Sequence, residues 1–118
     1  MKNSEIKLYI QLDEQNIPGK IEWEAADSNE PGIKECKSML LSIWDKKDNV
    51  TLGIDLWTKE MFVDDMNKHF YQTFLKMADT YNSATNNFEV AEKIRNFAEE
   101  FSISTLDSNN KGINNEVS

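Results

Sequence analysis

Residues 6 to 12 read Ile-Lys-Leu-Tyr-Ile-Gln-Leu, and no other stretch constrains the fold as tightly. Ile6, Leu8, Ile10 and Leu12 fall on one side of an extended chain and Lys7, Tyr9 and Gln11 on the other. That period of two buries one face of a strand. The polar run Asp13-Glu14-Gln15-Asn16, followed by Pro18-Gly19, breaks the alternation and predicts a turn. A second alternation sets Ile21, Trp23 and Ala25 against Glu22 and Glu24. A third runs from Val50 to Trp57, with Val50, Leu52, Ile54 and Leu56 opposing Thr51, Gly53, Asp55 and Trp57.

Between the second and third strands the pattern changes. Residues 27 to 32, Asp-Ser-Asn-Glu-Pro-Gly, combine cap-forming side chains with a Pro suited to a first helical turn. Cys36, Met39, Leu40, Ile43 and Trp44 then recur at three- and four-residue spacing, which predicts a helix ending at Asp45-Lys46-Lys47-Asp48-Asn49. A longer helix is expected through Val63, Met66, Phe70, Phe74, Met77 and Tyr81, with Asp64 and Asp65 in its first turn, where they complement the helix dipole. Asn82 to Thr85 interrupts it. Asn86 and Glu89 have the spacing of a capping box, opening a last helix with Phe88, Ala91, Ile94, Phe97 and Phe101 along its apolar stripe.

The expected fold is therefore α+β, in the order ββαβαα. A small antiparallel three-stranded sheet of order 2-1-3 would carry three helices packed on one face. At 118 residues the chain has room for one core. A single domain is expected over residues 1–105, and the Ser- and Asn-rich stretch 106–118 reads as a disordered polar C-terminal tail.

Charge narrows the function classes. Twenty-one acidic residues against 13 basic give a net charge of −8, which repels phosphate backbones and anionic lipid surfaces. No nucleic-acid partner and no direct membrane insertion are expected. The opening Met-Lys-Asn-Ser-Glu-Ile passes straight into the first strand without the apolar core of a signal peptide. Cys36 is the sole cysteine, and its place on the apolar side of the expected helix suits a reduced, buried thiol. These features point to the cytoplasm.

Residues able to do chemistry are few. Nucleophilic catalysis needs a Ser, Cys or Thr beside an oriented base, and nothing in the sequence brings Cys36 to His69, the sole histidine. Asp65 and His69 lie four apart on one helix face, a pairing that suits a carboxylate–imidazole contact and falls short of a metal site. No glycine-rich phosphate loop is present, so neither cofactor nor metal is expected. The outstanding residue is Trp57, on the polar side of its strand. It would either fold back over Met61 or join Tyr9, Glu22, Glu24 and Asp55 in a partner-binding patch with an aromatic centre and a polar rim. Two further readings stay open: a small-molecule or minor enzymatic site between the long helix and the sheet using His69, and a homo-oligomer formed through sheet faces or edges.

Several strings in this chain resemble a known family. They are Met1-Lys2-x-Ser4-Glu5-Ile6, Leu12-Asp13-Glu14-x-x-Ile17-Pro18-x-Lys20-Ile21-Glu22-Trp23, Leu40-Leu41-Ser42-x-Trp44-Asp45 and Ile54-Asp55-Leu56-Trp57-Thr58-Lys59-x-Met61. Val63-Asp64-x-Met66 and Met77-Ala78-Asp79-Thr80 extend the match. In order and spacing they are similar to the gliding motility protein GldC family of Bacteroidetes, over residues 1 to about 101. Phe62 departs from the pattern, where the family has Pro. The resemblance implies a cytoplasmic, non-enzymatic accessory protein of the gliding machinery that binds a motility or envelope-associated protein, with no catalytic residues to carry over.

Overall fold

A computed structural model describes the backbone from residue 2 to 117 and the side chains from residue 2 to 106. The tail expected over 106–118 lies outside the residues described with their side chains, apart from Leu106. The chain divides into two compact units, Met1–Met61 and Phe62–Ser118, each built from its own elements.

The first unit holds five strands: β1 (Ile6–Leu12), β2 (Pro18–Ala25), β3 (Lys34–Cys36), β4 (Ser38–Trp44) and β5 (Thr51–Trp57). They form two antiparallel sheets, one of order β1-β2-β3 and one pairing β4 with β5. In the first, Ile10 lies opposite Ile21 and Ile21 opposite Cys36, so Ile21 sits mid-sheet with a neighbour on either side and is fully buried. The turn before β2 is tied by Asp13, whose carboxylate accepts the Gln15 and Ile17 N–H groups at 2.8 and 3.0 Å. Asn16 takes a left-handed φ of 61° there, a conformation Asn tolerates better than most residues.

Two expectations are corrected in this unit. The helix expected through Cys36, Met39, Leu40, Ile43 and Trp44 is instead β3 and β4. Met39-Leu40-Leu41 with Ile43-Trp44 is apolar on both sides, so a period of 3.6 and a period of 2 fit it equally well; the partner strand decides. That partner is β5, reached through a short loop in which Asp45 accepts the Lys47 and Asp48 N–H groups and Asn49 has φ 54°. The polar run 45–49 thus turns a hairpin and does not end a helix. For the same reason the sheet order 2-1-3 fails: β5 pairs with the strand next to it in sequence, and β1 is left at a sheet edge.

The second unit is a pair of helices, α1 (Val63–Thr85) and α2 (Phe88–Val117), so the described residues form two helices and five strands where three of each were expected. α1 begins where Asp64 and Asp65 predicted, and the Asp65 carboxylate accepts the Phe62 N–H at 3.2 Å. It runs on through Asn82–Thr85, because Asn86 with φ 55° closes it only afterwards. The cap of α2 is Asn87, whose side-chain oxygen accepts the Val90 N–H; the capping box placed at Asn86 and Glu89 is one residue out of step.

The helices run antiparallel, with Ala78, Ala91 and Ala98 fully buried, small residues that allow close approach. Beside them, Phe74 meets Phe97 and Phe101 edge-on at centroid distances of 5.3 and 5.2 Å, and Phe70 stacks on Phe101. Polar links flank the seam. Arg95 pairs with Asp79 at 2.6 Å, and the Tyr71 hydroxyl donates to Glu99 at 2.8 Å, which holds the phenol above its usual range.

Candidate functional site

The strand register separates the five candidate residues into two groups. Tyr9 and Glu22 are direct cross-strand partners on the polar face of the first sheet, and the Tyr9 hydroxyl makes a long contact of 3.5 Å with Glu24. Lys20 lies 3.9 Å from Glu22, so the charges on this face are partly matched within it. Asp55 and Trp57 belong to the other sheet, two residues apart on β5 and facing the same way. The five do not share one sheet as expected, because the strand bearing Asp55 and Trp57 pairs with β4 and not with β1.

Around Asp55 and Trp57 the chain forms a recess of about 330 Å³, lined by Asn16, Ile17, Pro18, Asp55, Leu56 and Trp57. One wall is the turn that Asp13 ties down. The Ile17 and Gln15 N–H groups hold the Asp13 carboxyl below the usual carboxylate range, the signature of a carboxylate engaged as an acceptor. Asn16, in its left-handed conformation, and Pro18, whose ring fixes φ, flank Ile17 in this turn. The facing wall is the Trp57 indole, 53% exposed. Among the described residues the Asp55 carboxylate has no hydrogen-bond or ion-pair partner. An open aromatic face beside an unengaged carboxylate can take up a cationic side chain, by stacking and ion pairing together.

One aromatic residue escaped sequence reasoning. Trp44 is 65% exposed on the same face of the β4–β5 hairpin as Trp57, with Ser42 and Gly53 between them. Its assignment to a helix stripe hid it. Asn16, Ile17 and Pro18 were legible only as a turn, and nothing local announces that the turn lines a recess.

The remaining groups are placed as follows. Cys36 lies on β3 opposite buried Ile21, and burial pushes its thiol up, away from the thiolate a nucleophile needs. His69 is half-buried in α1. Among the described residues no three His, Cys, Asp or Glu side chains cluster so as to hold a metal ion, and no helix is long and apolar enough to cross a membrane. A smaller recess of about 210 Å³ lies along the helical pair, lined by Asn67, Lys68, Tyr71, Ser102, Thr105 and Leu106.

Comparison with known proteins gives one family. A family model described as gliding motility-associated protein GldC-like matches residues 18–107. No curated protein and no solved structure matches the chain.

Proposed function

Because the chain belongs to the GldC-like family of gliding motility-associated proteins, we propose that it is a non-enzymatic accessory protein of that machinery, holding a protein partner at the Trp57 recess. The carrying observation is the half-exposed indole of Trp57 in a recess beside the unengaged Asp55 carboxylate. Full burial of a bulky apolar side chain is worth about 1.5–3 kcal/mol, and an indole left half open to water forgoes roughly half of it. A partner covering it recovers that energy, which is why Trp anchors so many interfaces.

The partner's contact is a cationic side chain on an extended segment. Its charged head meets Asp55 and its stem lies against Ile17 and the indole. Net charge of −8 speeds the encounter with such a segment and makes the rate fall with salt. The second face, with Tyr9, Glu22 and Glu24, contributes less, since Glu22 and Glu24 already have neighbours within the sheet. The partner belongs to the motility or envelope-associated machinery and is met in the cytoplasm.

Co-purification of the tagged chain from a gliding bacterium tests this reading. Trp57→Ala and Asp55→Asn should each strip the recovered partner at least tenfold while Tyr9→Ala retains most of it. Equal recovery with all three variants would remove the recess from the account.

A further inference from the structure

We propose that the chain forms a two-fold homodimer in which β1 pairs antiparallel with β1 of a second copy along its free edge. β2 takes up one edge of β1, and the other edge is not paired by any described strand. A strand in that position offers a row of N–H and C=O groups to any chain that can match it. Proteins commonly blunt such edges with Pro, a mid-strand bulge or an inward-pointing charge. β1 has no Pro, mid-strand bulge or inward-pointing charge: its register irregularity falls at the Gln11/Leu12 end, and Lys7, the one edge charge of a kind that also blunts strands, lies on the polar face near one end.

The side chains select the same partner. All seven residues of β1 are exposed, Ile6 at 75% and Leu12 at 53% among them. Ile6, Leu8, Ile10 and Leu12 together leave on the order of 400 Å² of apolar surface open, the size at which a patch on a monomer is commonly functional. That is about half of the roughly 800 Å² each side contributes to a standard interface. Main-chain pairing and the continuing face over Trp23 supply further contact, and a monomer–dimer equilibrium with Kd on the order of 1–100 µM is the expected scale.

The sequence of β1 is, in addition, its own complement. Antiparallel pairing about Tyr9 sets Ile6 against Leu12 of the second copy, Leu8 against its Ile10 and Lys7 against its Gln11. Within β1 every apolar residue meets an apolar one and no like charges meet, and the facing acids Glu5 and Asp13 lie just beyond the strand ends. A slip of one residue would turn the two apolar faces to opposite sides. A slip of two keeps the faces but leaves an apolar residue of each copy unmatched, one at either end of the pair. The two-fold register about Tyr9 is the one that uses the whole strand.

The test has two arms on the full chain. In sedimentation equilibrium over about 1–500 µM, the mass should rise from one chain to two, and Leu8→Lys should raise Kd at least tenfold. In a Cys36→Ser background, Tyr9→Cys should give an intermolecular disulfide under mild oxidation, because directly opposed Cα atoms lie about 4.5–5.5 Å apart. Lys7→Cys should not, since the two copies of that position stand about four residues apart along the pair. A wild-type chain that stays monomeric throughout the range would overturn the proposal. So would a dimer in which Tyr9→Cys fails to cross-link, or one in which Lys7→Cys cross-links equally well. None of these readings depends on the Trp57 recess or its partner.

Discussion

The helical pair and the strand-rich unit solve the same problem with opposite success. In α1 and α2 the main-chain groups are satisfied within each helix, so only an apolar seam has to be matched. Ala78, Ala91, Ala98 and the four phenylalanines match it between the two helices. In the β unit only Ile21 among the described apolar residues is fully buried, and β1 keeps both an open edge and an open apolar stripe. A helix closes its hydrogen bonds locally, whereas a strand needs a neighbour on each side. The contrast explains why most of the exposed large apolar side chains lie in the strand-rich unit.

The comparison breaks most readily at Phe74, which touches Phe70, Phe97 and Phe101. Phe74→Ala should cost about 2–4 kcal/mol in denaturant unfolding, at the low end for a buried Phe because the residue is not fully buried. Hydrogen exchange on the same variant locates the loss. Weakened protection confined to α1 and α2 would mark the units as separately stabilised; equal weakening in β2 would join them in the single cooperative domain expected over 1–105. A smaller effect is expected for Ala91→Leu. Three extra heavy atoms at a fully buried helix contact should cost about 1–3 kcal/mol through overpacking, and an unchanged midpoint would mean the helices are not held close there.

The smallest effect sharpens the other side of the comparison. Asp13 ties the turn of the β unit, and its carboxyl lies below the ordinary value of 3.8 because the Ile17 and Gln15 N–H groups favour its charged form. A lowered folded-state pKa contributes stability that is complete above the unfolded value and lost as pH falls through the folded one. Asn in its place can still accept both hydrogen bonds. Between about pH 5 and pH 2 the wild-type unfolding midpoint should therefore fall slightly more steeply than that of Asp13→Asn. Parallel pH profiles would show that the turn draws no support from the charge.

What the sequence made legible follows the reach of each physical signal. β1 and β5 were readable because strict alternation is local, and the start of α1 because Asp64 and Asp65 sit where a helix dipole favours them. β4 was not, since Met39 to Trp44 satisfies two periodicities and its identity rests on pairing with β5. At the candidate site Trp57 was visible as an indole on the wrong side of its strand. Its neighbours Asn16, Ile17 and Pro18 were not assigned to it, because their meeting with β5 is made across nearly 40 residues of chain.

The run from Lys34 to Trp44 is interrupted only at Lys37 and serves two sheets in turn, β2 before the break and β5 after it, with the Lys37 carbonyl accepting the Thr58 N–H at 2.9 Å. An order in time is expected from this. The β1–β2 and β4–β5 hairpins each close over a short loop, an event of about 1–10 µs. Docking β3 onto β2 spans the somewhat longer segment 26–33 and is expected to follow. Conservative substitutions at Leu41 and Ile54 are then expected to slow refolding, while one at Cys36 mainly speeds unfolding.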